Sequence, residues 1–337
     1  MDLTLTDSVV RADAEARERF YDSRGYGRPV DAGALELAPV EAAHLLYRGD
    51  LDAVDGMNFR AFLASATVSE IEFLVYKNLR DRGFYLTPAI DGWVDDPDRA
   101  DFVVYPRGKG PWDDEVQYRV RVVSERATVA ASDLGDVVLA VVDEESELTY
   151  LETERPDLSG SSEADLPSSV DADLLSDRAL VWDPPAELYE QAFYGQRLDD
   201  QREGDLQLSL LEAAYLARRG VLSIDGGDEA VVARGREVEG DRFDRRLRVY
   251  ATLRDRGVVP KTGFKFGADF RTYAHVESVD DLGHSEHLVR VFAREHTFDP
   301  RDLALDVRLA HGVRKRMVYA LTGPEESTWL TVSRLTP

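Results

Sequence analysis

Apolar positions along the chain follow two spacings, one typical of helices and one typical of strands. The segments VEAAHLLYRG (40–49) and LLEAAYLARRG (210–220) predict two short amphipathic helices, the second closed by Gly220 as a C-cap. Longer segments of the same kind, at 69–83 and 241–257, predict a second pair of helices. Short β-like runs follow them: DFVVY, YRVRVVSE, DVVLAVV, HLVRVFA and RMVYAL. The pattern predicts an α/β (α+β) fold with a mixed sheet flanked by helices.

The same order of elements occurs twice because the sequence contains an internal repeat. VYKNLRDRG (75–83) and VYATLRDRG (249–257) share seven of nine residues at an offset of 174. Farther along, the triplet Ala-Asp-Phe and a tyrosine three positions later match at an offset of 168, which equates Tyr105 with Tyr273. Near the start of each copy, Phe20-Tyr21 aligns with Phe193-Tyr194. Two copies of one unit are therefore joined in tandem.

A segment rich in Ser, Asp and Pro, residues 155–177, separates the two copies and predicts a solvated acidic linker. Each copy is expected to contain a small N-terminal α/β subdomain followed by a mixed-sheet domain. The predicted boundaries are 1–154 for the first copy, with subdomains of about 1–66 and 67–154, and 178–337 for the second, with subdomains of about 178–240 and 241–337.

The composition of the chain indicates in which cellular compartment the protein is expected. No run of about 18 apolar residues could span a bilayer, and residues 1–20 lack the basic start and apolar stretch of a secretory signal. The chain has no cysteine, which excludes disulfides and thiolate metal sites. A soluble cytoplasmic protein that does not bind membranes is expected.

The net charge of −24 argues against a nucleic-acid partner unless the charge is unevenly distributed. Residues 241–337 contain 17 Lys plus Arg and 14 Asp plus Glu, a net of +3, which leaves −27 for residues 1–240. An acidic surface with few lysines is typical of proteins from salt-loading organisms, so we predict a halophile. An ordinary acidic cytosolic protein is the alternative.

The two copies differ in residues capable of chemistry. Five of the six histidines lie between positions 275 and 311 of the second copy. His284 falls opposite Asp114 or Glu115 of the first copy, and Lys315 falls opposite Gly135. The second copy is therefore expected to be catalytic and the first degenerate.

Three segments of the second copy, GFKFGADFRTY (263–273), HSEHLV (284–289) and VRLAHGVRKRMVYA (307–320), resemble the signature segments of the tRNA-splicing endonuclease family. Tyr273 and His284 are 11 residues apart, and His284 and Lys315 are 31 apart. The resemblance implies a restriction-endonuclease-like domain in each repeat and a homodimer. It also implies metal-independent cleavage of precursor tRNA at bulge-helix-bulge elements, without a cofactor, leaving 2′,3′-cyclic phosphate and 5′-hydroxyl ends.

This chemistry uses the RNA 2′-hydroxyl as nucleophile, so the protein needs a base, an acid and a fixed positive charge. Tyr273, His284 and Lys315 fit these roles in that order. A free tyrosine has a pKa of about 10, so a base of this kind needs cations nearby, whereas a histidine with a pKa of about 6.5 suits the acid. The alternatives are a structural tyrosine, a histidine that caps the following element, and a solvated lysine.

Arginines are the expected contacts to RNA because guanidinium groups stack on bases and bind phosphates. The resemblance implies a pair of arginines that sandwich a bulged base, and Arg308 and Arg334 match them; Arg314 is a third candidate for substrate contact. It also implies an acidic loop of one repeat that docks on the partner chain, for which the candidate is Asp143, Glu144 and Glu145. A solvated acidic turn is the alternative.

Two other functions remain open from the sequence. The chain could be a non-catalytic RNA-binding or structural subunit. It could also be a metal-dependent nuclease, but Asp269 and Glu277 form no recognisable Asp…Glu-x-Lys pattern, and the spacing of His287 and His311 suits no metal motif. No metal site is predicted.

Overall fold

The computed structural model describes residues 3–6, 8–30, 33–199, 204–324 and 326–337. The elements of the first copy are β1 (Thr4–Thr6), β2 (Val9–Ala12), α1 (Ala14–Ala16), β3 (Arg28–Pro29), β4 (Leu35–Leu37), α2 (Pro39–Arg48), α3 (Phe59–Ala64), α4 (Glu70–Asp81), β5 (Leu86–Pro88), β6 (Phe102–Val104), β7 (Tyr118–Ser124), β8 (Val129–Ala130), β9 (Val137–Val142) and β10 (Leu148–Glu154). Those that follow are β11 (Val170–Asp171), β12 (Asp173–Leu174), β13 (Arg178–Val181), β14 (Gln196–Arg197), β15 (Leu206–Ser209), α5 (Leu210–Arg218), β16 (Leu222–Ser223), α6 (Gly227–Glu239), α7 (Arg242–Asp255), β17 (Val259–Thr262), β18 (Phe270–Tyr273), β19 (His287–Ala293), β20 (Thr297–Phe298), α8 (Pro300–Gly312), β21 (Arg316–Thr322) and β22 (Thr328–Leu335).

Each copy begins with a small four-stranded sheet. The strand orders are β1-β2-β4-β3 and β12-β13-β15-β14, and the helices α2 and α5 follow these sheets in sequence. Gly220, with a φ of 71°, directly follows the last turn of α5, and Gly49 closes α2 with a φ of 73°. Glycine adopts this left-handed conformation at no steric cost. The C-cap of α5 is Arg219, so the predicted C-cap, Gly220, is the residue after it.

The second part of each copy contributes five strands to one ten-stranded mixed sheet, in the order β17-β18-β19-β21-β22-β10-β9-β7-β6-β5. The two halves meet where β10 pairs with β22 in antiparallel fashion. Val138 pairs with Glu152, and Val318 pairs with Thr331, so Thr153 and Val332 are equivalent positions, and they face each other. The copies are therefore related by a pseudo-two-fold axis through this pair.

The faces of this sheet are covered differently in the two copies. On one face, α4 packs on β7 and β9, and α7 packs on β19 and β21. On the other face, α8 packs on β21 and β22 in the second copy. In the first copy, a short 3₁₀ turn, Ala131–Asp133, stands where α8 would be. The first copy thus lacks the helix that carries Arg308.

The segment between the copies has more regular structure than its composition predicts. Backbone N–H groups of Gly160, Ser161 and Ser162 donate to carbonyl oxygens of Arg256, Ala274 and Gly257, at 2.8–3.0 Å. A Cβ on Gly160 would lie 2.4 Å from the Gly257 carbonyl oxygen, so only glycine allows this approach. Farther on, β11 pairs with β16 and β12 pairs with β13. Residues 155–177 are therefore bound along the second copy, although most of them are exposed.

The structure corrects one alignment made from the sequence. Gly27 and Gly195 donate their N–H groups to the carboxylates of Glu41 and Glu212, each at 2.8 Å. The residue before each glycine is a tyrosine that lies under an arginine, Arg80 in the first copy and Arg254 in the second. Tyr26 is therefore the equivalent of Tyr194, and Gly25 is the equivalent of Phe193. Alignment of Phe20-Tyr21 with Phe193-Tyr194 was wrong because the two aromatic pairs differ in their distance from this glycine.

The helices range from three residues in α1 to 14 in α7. Within the described ranges, none is both long enough and apolar enough to cross a bilayer.

Candidate active site

The ends of three adjacent strands bring the candidate catalytic residues to one edge of the sheet. Thr272 of β18 pairs with His287 of β19, and His287 pairs with Arg316 of β21. Because β18 runs antiparallel to the other two, its last residue lies beside their first residues. Neighbouring strands are about 4.8 Å apart, so the backbones next to Tyr273 and Lys315 are about 10 Å apart across β19. Residues distant in sequence are thereby brought together.

Tyr273 is the last residue of β18, and its ring is largely buried among apolar side chains. The cluster contains Phe193, Val259 and Val276, and the Phe193 ring contacts the tyrosine edge-on at 5.8 Å between centroids. In the described part of the chain, no group forms a hydrogen bond with the Tyr273 hydroxyl. Tyr105, its equivalent in the first copy, forms a 2.8 Å hydrogen bond with the Thr87 hydroxyl, and burial raises the pKa of Tyr105.

Lys315 directly precedes β21 and is half-buried. Its ammonium group donates a 2.6 Å hydrogen bond to the carbonyl oxygen of Ser285 and lies 5.7 Å from the centre of the Phe266 ring. Partial burial and the nearby charge of Arg271 lower the pKa of Lys315. The hydrogen bond to the segment that contains His284 connects two of the three candidate residues.

His284 lies in an irregular segment between a 3₁₀ turn, Val279–Asp281, and β19, and it is exposed. Glu286 fixes the end of this segment: its N–H donates to Thr272 and its carbonyl accepts from the N–H of Arg316, at 2.9 and 3.1 Å. Counting back from the equivalent residues Val289 and Val120 equates His284 with Glu115. The register therefore selects Glu115 over Asp114. The same comparison, from Val318 and Val138, equates Lys315 with Gly135.

Arg308, Arg334 and Lys315 line one groove of about 1160 Å³. Arg308 comes from α8, and Arg334 from β22, where it faces Leu151 of β10. The side of the groove formed by the first copy carries acidic residues, which are Glu125, Asp143, Glu147, Glu152 and Glu154. Arg314 is exposed, adopts a left-handed conformation with a φ of 56°, and lies outside the groove lining. The groove unites two of the three arginines proposed from the sequence with Lys315.

The candidate docking loop is the turn between β9 and β10. Glu144 and Glu145 are exposed, and Glu144 forms an ion pair with Arg126. The Asp143 carboxylate accepts hydrogen bonds from the N–H groups of Glu145 and Glu147, at 2.9 and 2.8 Å. Asp143 therefore stabilises the turn itself, whereas Glu144 and Glu145 face solvent.

The carboxylates considered for a metal have other partners. Asp269 forms ion pairs with Arg242 and Arg246 at 2.5 and 3.0 Å, and it accepts the N–H of Val291. Glu277 lies 3.1 Å from the ring of His275. In the parts of the chain that the structure describes, no three His, Cys, Asp or Glu residues are grouped as a metal site requires.

Sequence reasoning missed a buried ion pair close to Tyr273. Lys261 of β17 lies 3.1 Å from the carboxylate of Glu212 on α5, and both side chains are buried. In the first copy, Glu41 occupies the position of Glu212, and the register of β5 places Thr87 at the position of Lys261. The sequence does contain a signal for this ion pair, because Lys261 is one of only five lysines in the chain.

Comparison with known proteins agrees with this architecture. A family model described as the tRNA intron endonuclease, catalytic C-terminal domain, matches residues 243–329. The corresponding N-terminal domain matches twice, at residues 1–63 and 170–234. The chain is 68% identical to a tRNA-splicing endonuclease of Haloarcula marismortui, with 100% of both chains covered. Identity is 63% to the enzyme of that name in Haloferax volcanii, with 99% of each covered, and 39% to that of Methanosarcina mazei, with 98% of each covered. The chain therefore belongs to the tRNA intron endonuclease family of archaea.

Proposed function

We propose that this chain is a tRNA-splicing endonuclease that excises introns from precursor tRNA in the cytoplasm. It cuts at bulge-helix-bulge elements without a metal ion and leaves 2′,3′-cyclic phosphate and 5′-hydroxyl ends. The observation that carries the proposal is the strand register that brings Tyr273, the segment of His284, and Lys315 to one edge of the sheet. The names of the relatives, which cover almost the whole chain, support the substrate.

In the proposed reaction, Tyr273 reacts as its phenolate, whose oxygen takes the proton of the 2′-hydroxyl next to the scissile phosphate and becomes a phenol. The 2′-oxygen then forms a bond to phosphorus, and the bond from phosphorus to the departing 5′-oxygen breaks. His284 gives a proton to that 5′-oxygen. Lys315 stabilises the additional negative charge on the phosphate oxygens in the transition state. The atoms of both products are thereby accounted for without water.

Three structural features support these roles. The Tyr273 hydroxyl has no hydrogen-bond partner among the described residues, so it is available to the substrate. His284 is exposed, as a group that must reach RNA has to be. Lys315 is held by the Ser285 carbonyl, which limits the motion of its ammonium group and reduces the reorganisation needed during the reaction.

RNA binding is assigned to the groove beside Lys315. Arg308 and Arg334 line it from α8 and β22, which supports their proposed contact with one unpaired base. Arg314 is assigned to a phosphate outside the groove, because its exposed side chain follows α8 directly before Lys315. Salt weakens phosphate contacts, so base stacking is expected to supply much of the affinity in a halophile.

The active form is proposed to be a homodimer in which Asp143, Glu144 and Glu145 form the loop that docks on the partner chain. The exposure of Glu144 and Glu145 at the tip of the β9–β10 turn supports this role. Two chains then present two active sites to the two bulges of one substrate.

A precursor tRNA with a single 2′-deoxy substitution at the splice site tests the reaction. We expect wild-type protein in EDTA to cut the all-ribose RNA and to leave the substituted RNA intact at that site, because the nucleophile is missing. A precursor with the 2′-deoxy substitution elsewhere in the exon serves as the control. Cleavage at the substituted position would show attack by water and would refute the proposal.

A further inference from the structure

Phe193 has a backbone conformation that bulky residues rarely adopt. Its φ is 52°, in the left-handed region, although the side chain is a buried phenylalanine. Steric contact between Cβ and the carbonyl oxygen disfavours this conformation, so surrounding structure must enforce it. Such outliers concentrate at functional sites.

Two buried cations hold the backbone at this position. The ammonium group of Lys261 donates to the carbonyl oxygens of Phe193 and Gly195, at 3.2 and 2.7 Å. The guanidinium of Arg254 donates to the carbonyl oxygens of Ala192 and Phe193, at 2.8 and 3.4 Å. Glu212 balances the charge of Lys261 at 3.1 Å. The left-handed turn is therefore fixed from both sides.

The enforced conformation directs the Phe193 ring onto Tyr273. The two rings meet edge-on, at 67° and 5.8 Å between centroids. Lys261 lies 4.6 Å from the centre of the Phe193 ring, a cation–π distance that adds a second restraint. The small cluster that contains both rings also includes Val259, the cross-strand neighbour of Tyr273.

The first copy keeps the equivalent of Arg254, because Arg80 donates to the carbonyl oxygen of Arg24 at 2.8 Å, but it differs at the positions of Phe193 and Lys261. Gly25 replaces Phe193 and keeps the left-handed conformation, with a φ of 64°. Thr87 replaces Lys261, and its hydroxyl forms a hydrogen bond with Tyr105. In the degenerate copy the tyrosine is therefore held through its hydroxyl. In the second copy it is held through its ring.

We propose that Phe193 is a positioning residue for Tyr273, kept in place by Lys261 and Arg254. The inference rests on the proposed function, in which Tyr273 is the base. Fixing a base by its ring leaves the hydroxyl free for the RNA 2′-oxygen while it restricts rotation of the side chain. In the first copy a glycine adopts the same left-handed turn and the Tyr85 ring occupies the adjoining space, so the turn itself does not require a bulky residue.

The test compares single-turnover cleavage by Phe193→Gly, Phe193→Tyr and Leu188→Ala at saturating precursor tRNA. Phe193→Gly restores the first-copy residue, whereas Phe193→Tyr keeps the ring. Leu188 is fully buried in the same subdomain but belongs to a different apolar cluster, so its truncation destabilises without touching Tyr273. We expect Phe193→Gly to cut at least about tenfold more slowly with an unchanged Kd for RNA, and the other two to keep nearly the wild-type rate.

The inference is overturned if Phe193→Gly cuts at the wild-type rate, or if Leu188→Ala loses as much rate at equal fractional folding. If Phe193→Gly does not fold, Phe193→Leu keeps most of the buried volume, and the same two outcomes apply to it. An inert wild-type protein, in contrast, would reject the proposed function itself, so the two failures are distinguishable.

Discussion

Two tyrosines at equivalent positions have different surroundings, and this difference predicts different roles. Tyr105 is bound to Thr87 through its hydroxyl, whereas the Tyr273 hydroxyl has no partner among the described residues. We expect Tyr273→Phe to lower the single-turnover cleavage rate at least about 100-fold with little effect on RNA binding, because only the base is removed. Tyr105→Phe is the matched control and should cut at the wild-type rate. Equal rates for both variants would remove Tyr273 from the reaction.

Two buried glutamates at equivalent positions, Glu41 and Glu212, also have different surroundings, and their pKa values shift in opposite directions. Burial raises the pKa of Glu41 to about 7, although hydrogen bonds from the N–H groups of Gly27 and Ala38 and the charge of Arg80 oppose this rise. Burial also acts on Glu212, but Lys261 and hydrogen bonds from Ser209 and Gly195 hold the pKa of Glu212 below its usual value.

These shifts predict opposite effects of glutamine substitution on stability near pH 7. A raised pKa means that the folded state binds more protons than the unfolded state, so Glu41 lowers stability as pH rises from about 4.5 to about 7. Glu41→Gln should flatten this decline, which is on the order of 3 kcal/mol. Glu212→Gln should instead destabilise the protein at pH 7 by about 3 kcal/mol, because it leaves the charge of Lys261 unpaired. Denaturant unfolding between pH 5 and pH 8 measures both, and a Glu41→Gln curve parallel to the wild-type curve would contradict the first.

At the level of elements, α8 distinguishes the two copies, and it brings Arg308 into the groove that Arg334 also lines. If the two arginines clasp one base, each alanine substitution should weaken RNA binding about tenfold, and the double variant should lose less than the product of the two. Arg60→Ala, an exposed arginine of α3 in the first copy, is the control and should leave the Kd unchanged. Filter binding at constant salt concentration measures the Kd values. If the loss of affinity in the double variant equals the product of the two single losses, the arginines contact separate parts of the RNA.

The elements were largely predictable, because they depend on local periodicity. The four predicted helices and the runs that became β6, β7, β9, β19 and β21 are present. The repeat also equated Tyr105 with Tyr273 and Gly135 with Lys315 correctly. The equivalence of Gly25 and Phe193 was missed because it depends on backbone conformation and not on residue type. Lys261 was missed because its partner, Glu212, is 49 positions away and meets it only through tertiary packing.

At the level of the whole molecule, pairing of β10 with β22 joins the copies into one sheet, and a second pairing, of β8 with β20, supports it. The residues that follow β10 then run along the second copy. Composition predicted a solvated segment there, but it could not predict that backbone groups of 160–162 would pair with 256, 257 and 274. These backbone contacts depend on the position of residues 256, 257 and 274 in the folded second copy, which composition does not determine.

The dimer proposal predicts an effect of charge at the β9–β10 turn. Because Asp143 stabilises the turn, its substitution would also disturb the fold of the loop. The double variant Glu144→Lys with Glu145→Lys changes only the exposed carboxylates and is therefore the more specific test. We expect this variant to be monomeric in light scattering at a salt concentration where the wild type is dimeric. Glu15→Lys with Glu18→Lys, at two other exposed acidic positions of the first copy, should remain dimeric. Dimers of unchanged stability in the first variant would exclude this loop from the interface.

The most direct test of the central claim is cleavage of an intron-containing precursor tRNA in concentrated KCl and EDTA, by wild type and by His284→Ala, with analysis of the product ends. We expect the wild type to release the intron with 2′,3′-cyclic phosphate and 5′-hydroxyl ends, and His284→Ala to bind the RNA but cut it at least about 100-fold more slowly. A wild-type protein that binds the precursor without cutting it, or an alanine variant that cuts at full rate, would contradict the assignment.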